Sequence, residues 1–480
     1  MTGSSMGGDG MPFRKNLSLD AFIIAIFIGA LDICIVAPSL TVIAADLGFP
    51  VRWVIWVIAL HLAVFVLALP LMETWGVRFG WREWFFVALF LYGAGSFIAG
   101  GSTTWTALMA GRVIQALGAG GVVPQLSAEI RRLSENRRKG WRVAVHGVLA
   151  ALLIALPLYS SAVTHFFSWR WIFWTKIPAV LVVAILTFRL ARGGRFRSKP
   201  YQVHGVFYFG AILLSAMVAV SQLDPSLGWA ALIDPSVLPF AVLVIGLPVL
   251  MFMADRQSSR PFFASQLFTD IRLVGLHTVV ALAGCTWAAA VLVPGWMVEV
   301  FQQPPGSGGP FLSIVAASAW LSLPLARWTT RYWGYQGVLA VGFFATAFAY
   351  FTLALALEPV PLIAVLIVLG FGISFTLTAP VHELLFGVVP YRQVKNGLMV
   401  IGMFRAAGGA LGLILIGLSF HRAPAFTGWI ASAQGLPALW SMGYQMGMLT
   451  VSGVSVVGLI LSLTLPSPGE DPAETEGERG

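Results

Sequence analysis

One carboxylate stands alone inside a long apolar run near the start of the chain. Between Asp20 and Asp46 the sole charged residue is Asp32, within Leu31-Asp32-Ile33-Cys34-Ile35-Val36. At about 1.5 Å per helical residue, Asp32 falls near the middle of a membrane-crossing helix. An ionised group there costs roughly 3 kcal/mol or more. Two readings fit: a carboxyl paired inside a helix bundle, or one that binds a proton or cation on a transport path. A second charge of this kind is Arg112, which lies about two turns into a later apolar run. Its guanidinium must either snorkel to the interface or find carbonyls, water or a carboxylate.

The elements that would carry these residues follow from composition. Hydrophobic residues make up 58% of the 480-residue chain and charged residues 10%, against about 25% charged in soluble domains. The expected class is an all-α polytopic membrane protein. The segment Met1–Asn16 is polar, and the first apolar run is a full span, so no cleavable signal is expected. Cys34 and Cys285 both lie in apolar runs, which leaves no disulfide framework or zinc spacing. The net charge of +9 resides mostly in short loops, as topology determinants. Nucleic-acid binding therefore gains no support from it.

Apolar runs of about 17 to 25 residues predict fourteen spans. They fall at 19–46, 51–72, 84–103, 106–130, 143–164, 171–191, 205–222, 236–254, 273–300, 310–327, 336–357, 360–384, 396–420 and 443–465. Lys and Arg cluster on one side of this arrangement, at Arg14, Lys15, Arg78, Arg82, the 131–142 segment, the 192–199 segment, Arg256, Arg260, Arg327, Arg331, Arg392 and Lys395. The other side holds Arg52, Arg170, Arg422 and, read as a loop residue, Lys176. The enrichment of cytoplasmic loops in Lys and Arg places both termini inside. A faint internal repeat is visible: Pro70-Leu71 precedes Gly80 as Pro324-Leu325 precedes Gly334, with Arg78 and Arg331 between. Repeated halves around a midplane site are a common transporter plan.

The motifs narrow this further. Leu31-Asp32-Ile33-Cys34-Ile35-Val36 resembles the first-span pattern L-D-x-T-I-V-N. Arg112-Val113-Ile114-Gln115-Ala116-Leu117-Gly118-Ala119-Gly120 is close to R-x-x-Q-G-x-G-x-A of the fourth span, and Ser168-Trp169-Arg170-Trp171-Ile172-Phe173 matches S-W-R-W-I-F after the fifth. On these residues the chain resembles the fourteen-span drug:proton antiporters of the EmrB/QacA type in the major facilitator superfamily. The resemblance implies two six-helix bundles plus two additional transmembrane helices. The corresponding segments are a cytoplasmic start at 1–18, a bundle at 19–196, linking helices at 197–258, a second bundle at 259–466 and a disordered acidic tail at 467–480.

It also implies proton coupling at Asp32 and Arg112. Contact with an arginine favours the ionised carboxylate, and loss of that contact favours the protonated one. Alternation between the two would load Asp32 on one side and unload it on the other. Further pathway candidates are His61, Gln115, Pro157, His277 and Arg405. Gly111 and the Gly118–Gly121 stretch leave little bulk on the fourth span, which permits close helix packing.

Several positions depart from the resembled pattern. The loop after the second span, normally G-x-L-A-D-R-x-G-R-R, reads Glu73-Thr74-Trp75-Gly76-Val77-Arg78-Phe79-Gly80-Trp81-Arg82, with Glu73, Arg78, Gly80 and Arg82 as cytoplasmic gate residues. The fifth-span pattern G-P-x-x-G-G is reduced to Leu156-Pro157-Leu158-Tyr159-Ser160-Ser161, and the asparagine after S-W-R-W-I-F is Lys176. No Walker A loop or nucleophile–base frame is present, so neither an enzyme nor a cofactor is expected.

The function implied is proton-coupled efflux of a small amphipathic or aromatic compound across the inner (plasma) membrane by alternating access. The alternatives are an uptake symporter on the same fold and a non-transporting sensor or scaffold. A loop expected at 421–440, with Phe426, Trp429, Ile430 and Leu436, offers an apolar face for a periplasmic adaptor protein that leads to an outer-membrane channel.

Overall fold

The computed structural model describes residues 32–49, 51–135, 139–190, 203–256, 270–355, 362–377, 394–430 and 439–465. Among these residues the secondary structure is helical throughout, without strands. A bilayer core has no water to satisfy backbone polar groups, so each apolar run forms its hydrogen bonds within itself. Seven helices are long and apolar enough to cross a membrane, and a pair bent by 60°, Ser226–Ile233 and Leu238–Ala254, makes an eighth. Shorter apolar helices, including Cys34–Leu47, Ala150–Phe166, Gly309–Leu321 and Leu362–Leu377, fall at other expected spans.

The helical reading holds, with corrections at several boundaries. The segment expected as a gate loop from Glu73 is helix, because Trp56–Phe79 runs unbroken past Pro70. Nothing between Glu73 and Phe79 obliges the backbone to leave the helix; the break comes at Gly80, with φ 108°. The tenth and eleventh spans also differ from expectation. Helix Gly309–Leu321 ends at Ser322, and Leu323–Leu355 is interrupted at Gly334, with φ 63°. Gly80 and Gly334 thus adopt left-handed backbone at matching points of the internal repeat, a conformation that glycine reaches without Cβ strain. The expected loop from His421 is also helical at first, since Val394–Ile430 is one element. The side chains of Phe426, Trp429 and Ile430, and the whole of Leu436, lie outside the described residues. So do residues 1–31 and the tail 467–480.

One large apolar core joins the first, second, ninth, tenth, thirteenth and fourteenth spans through Val36, Ile43, Val57, Ile58, Val293, Trp296, Leu312, Leu413 and Val451. The seventh and eighth spans pack on each other, and the seventh also packs on the second and thirteenth. The eighth exposes Val242, Ile245, Val249 and Met253, an apolar surface suited to lipid.

Polar contacts tie the fifth and tenth spans together at the end of the molecule that carries residues 167–170 and 301–308. The backbone N–H of Gly309 donates to Ser161 Oγ at 2.7 Å, and Ser313 Oγ donates to the Ile154 carbonyl at 2.7 Å. Ser39 Oγ sits 2.6 Å from Thr164 Oγ1 and 3.1 Å from Ser160 Oγ. Ser160 Oγ also donates to the Ile35 carbonyl. The serines that replace the expected glycines therefore hold neighbouring helices by hydrogen bonds.

Candidate functional site

Asp32 lies at the head of Asp32–Val36, the first described turn of the first span. Arg112 is carried by Trp105–Glu135, Gln115 one turn further on the same face, and His61 by Trp56–Phe79. Close helix packing brings them together. A Cβ at Gly118 would run into the backbone of Tyr92 on the third span, and one at Gly120 into Ala68 on the second. The fourth span can therefore lie backbone to backbone against its neighbours, as the glycine run predicts.

Arg112 Nη1 donates to Asp32 Oδ2 and, at 2.6 Å, to Gln115 Oε1, while Arg112 Nε donates to the Val57 carbonyl at 3.0 Å. The chain continues from Gln115 Nε2 to Ser96 Oγ at 2.8 Å and from Ser96 Oγ to the Tyr92 carbonyl at 2.8 Å. His61 Nδ1 lies 3.3 Å from the Arg112 carbonyl. A carbonyl only accepts, so Nδ1 carries the proton in this contact. His61 Nε2 faces Asp32 Oδ2 at 3.6 Å, beyond hydrogen-bond range. Arg112 is thus no snorkelling residue: it is 0% exposed, and Asp32 is 1% exposed.

The sequence reading missed the other half of the cluster. Lys176 Nζ donates to Asp32 Oδ1 and is 2% exposed, so it is a buried partner of the carboxylate and no loop residue. It opens helix Lys176–Leu190, just after the short helix Trp171–Trp174. The ring of Phe173 lies between the two cations, 5.8 Å from Arg112 Cζ and 5.0 Å from Lys176 Nζ, within cation–π range. The signal available in sequence was the lysine that stands in place of asparagine at the edge of an apolar run.

The Ser168–Phe173 motif has a positioning role in this arrangement. Arg170 Nη1 pairs with Asp46 Oδ2 at 2.8 Å, and its Nη2 donates to the Ser102 carbonyl at 3.2 Å. Trp169 Nε1 donates to the same Asp46 oxygen at 3.1 Å, and the guanidinium covers the Trp169 ring at 4.5 Å. This clasp ties the first and third spans to the head of the sixth. It thereby fixes the register that delivers Phe173 and Lys176 to Asp32.

The remaining expected residues lie elsewhere. Pro157 lies at the contact of the fifth and tenth spans, where its carbonyl leaves no room for a Cβ at Gly309. His277 stacks on Phe404, with centroids 4.8 Å apart, on the packed ninth and thirteenth spans. Arg405, the next residue, is partly buried, with Nε and Nη2 lacking hydrogen-bond partners among the described residues. Glu73 is buried in its helix, Arg78 is exposed with its guanidinium 5.5 Å from the Phe79 ring, and the Arg82 side chain lies outside the described residues. A small apolar cavity lies where the first two spans meet the ninth and fourteenth, lined in part by Ala37, Leu40, Ile55, Leu292 and Tyr444. No group of three or more metal-ligating residues occurs among the described residues.

The sequence profile of the Major Facilitator Superfamily matches residues 22–413. The chain belongs to that superfamily. It is a multi-pass membrane transporter, with efflux-type relatives at low identity. The methyl viologen resistance protein SmvA of Salmonella typhimurium strain LT2 is 26% identical over 446 residues, covering 89% of this chain and 86% of that protein. The multidrug transporter protein MdtP of Bacillus subtilis is 22% identical over 425 residues, covering 86% and 76%.

Among solved structures, an auto-inhibited POT family peptide transporter superposes with a TM-score of 0.65 at 15% identity, covering 96% of this chain and 99% of that one. A bacterial homologue of the human lysosomal transporter Spinster, inward-facing and unoccupied, gives 0.64 at 13%, covering 95% and 97%. At these identities the superpositions establish the fold alone. The family is one of transporters and not of enzymes.

Proposed function

We propose that this transporter is a proton-coupled exporter of small amphipathic or aromatic compounds, of the fourteen-span drug:proton antiporter type. The observation that carries the reading is the buried cluster of Asp32, Arg112, Gln115 and His61, at the depth where an unpaired charge is most costly. Such a cluster can exchange its charge only when a rearrangement opens it to water. Coupling that opening to the access of one side is what an antiporter requires. The efflux and multidrug names of the relatives agree in direction.

In this reading the segments 19–196 and 259–466 are the two moving bundles, 197–258 the inserted pair, and both termini are cytoplasmic. The contacts between the fifth and tenth spans then seal the outer side. A periplasmic adaptor that docks on residues 421–440 is the partner this scheme admits. The test uses inverted membrane vesicles containing the protein and methyl viologen as probe. An imposed pH gradient, acid inside, should drive its accumulation, with collapse of the gradient on addition of substrate. Accumulation that ignores the gradient would refute proton coupling.

A further inference from the structure

The Asp32 cluster holds one positive charge too many. Asp32 contributes one negative charge, while Arg112 and Lys176 each contribute a positive one, on separate oxygens of the same carboxylate. Among the described residues the other groups that face them add no carboxylate, and the weak acid beside Arg112 is the phenol of Tyr92. His61 from the second span donates through Nδ1 to a carbonyl, Gln115 and Ser96 are neutral, and the third span contributes the carbonyl of Tyr92. Phe173 offers only a ring face. An uncompensated charge buried in a membrane-spanning core is strongly disfavoured, so the closed site must shed one.

One route leads to neutrality without adding a charge, because ionising the Tyr92 phenol would place a fourth charge in the dry site. The guanidinium of Arg112 does not deprotonate in proteins. Protonating Asp32 would leave two cations with no counter-charge, and protonating His61 would add a third cation. Releasing a proton from Lys176 brings the total to zero while the Asp32–Arg112 pair stays intact. We propose that the proton exchanged at this site is carried on Lys176 Nζ, and that Asp32 remains ionised as its anchor. An N–H bond of the ammonium breaks, the electron pair stays on Nζ, and the proton passes to water on whichever side the site is open.

This assignment rests on the proposed antiport and adds a substrate class to it. With Lys176 as ammonium the cluster carries +1 and repels an organic cation; with Lys176 as amine it is neutral and admits one. A lipophilic cation and the Lys176 proton therefore exclude each other by charge, without sharing a ligand, and exclusion of this kind is sufficient for one-for-one exchange.

The test is made possible by the small number of lysines: Lys15, Lys139, Lys176, Lys199 and Lys395. In purified protein labelled with 13C-lysine, the Cε resonance absent from Lys176→Arg identifies Lys176. That resonance should pass from its ammonium to its amine position in a single step within the pH range over which methyl viologen is exchanged for protons. A Lys176 that remains ammonium throughout this range would overturn the proposal. Lys176→Gln, neutral like the amine, must lack the same resonance, so a loss of fold in Lys176→Arg does not confound the assignment. As a second arm, Lys176→Arg and Lys176→Gln should both lose pH-driven accumulation of methyl viologen in inverted vesicles. Retention of that accumulation in either variant would also overturn it. A Lys176 that titrates in a wild-type protein unable to exchange methyl viologen for protons would leave the assignment standing and remove the export reading instead.

Discussion

Lys176 and Asp32, 144 positions apart in the chain, meet in a buried contact of Nζ with Oδ1 between the sixth and first spans. Arg112 occupies the other carboxylate oxygen. Asp32 is thus the shared partner of two basic side chains, and this changes what its removal should do.

For Asp32→Asn, sequence reasoning expects loss of export in a protein that is otherwise folded and inserted. The structure predicts a folding defect as well, since Arg112 loses its counter-charge and Lys176 its carboxylate acceptor. Removing one partner of a buried pair costs about 3–5 kcal/mol. Thermal melting in detergent should show a fall larger than that of Lys176→Gln. Adding Lys176→Gln to Asp32→Asn should recover part of the melting temperature without restoring export. Equal melting of Asp32→Asn and wild type would contradict the shared-partner geometry.

Arg112→Lys retains the charge and loses the fork. Arg112 binds Asp32 and Gln115 through Nη1 and Val57 through Nε, directions that a single ammonium cannot all serve. Each bond lost to a charged group is worth about 1.5–3 kcal/mol, so the pH-driven transport rate should fall by about tenfold or more. A rate within about twofold of wild type would mean that only the charge of Arg112 matters.

The contact between the fifth and tenth spans makes a separate prediction. Ser161→Ala leaves the Gly309 N–H without its acceptor, a loss of about 1 kcal/mol. Gly309→Ala places a methyl group against the Pro157 carbonyl, and overpacking of this kind costs about 1–3 kcal/mol. Both should increase labelling of a cysteine introduced at position 313 by a membrane-impermeant maleimide, with the larger increase for Gly309→Ala. Unchanged labelling in both would show that this contact does not seal the end where it lies.

Orientation is tested by reporter fusions. A fusion after Gly228, on the short segment between the seventh and eighth spans, should report the outer side, and one after Ser198 the inner side. The reverse result at either site would overturn the placement of both termini in the cytoplasm.

Much of this protein is legible in the order of its residues. Hydropathy fixes the helical spans, because a backbone in lipid must satisfy its own hydrogen bonds and long apolar runs therefore become helices wherever they lie. The same argument singles out Asp32 and Arg112 as charges too costly to stand alone, and the glycines around Gly118 announce the close approach of the fourth span. Tertiary structure decided what sequence cannot express, which is the azimuth of each helix and the neighbour it faces. Lys176 reads as an interfacial residue because hydropathy locates a residue along the chain but does not register a break at Thr175 or an Asp46–Arg170 clasp that turns the sixth span inward. Ser160 and Ser161 read as lost glycines until the first and tenth spans are seen to supply their hydrogen-bond partners. His277 and Arg405 stand out in apolar runs as pathway candidates, and only the fold shows that they lie where the ninth and thirteenth spans pack. Depth in the membrane is set by local composition, while partnership is set by packing among helices that lie far apart in the chain, 80 positions for Asp32 and Arg112 and 144 for Asp32 and Lys176.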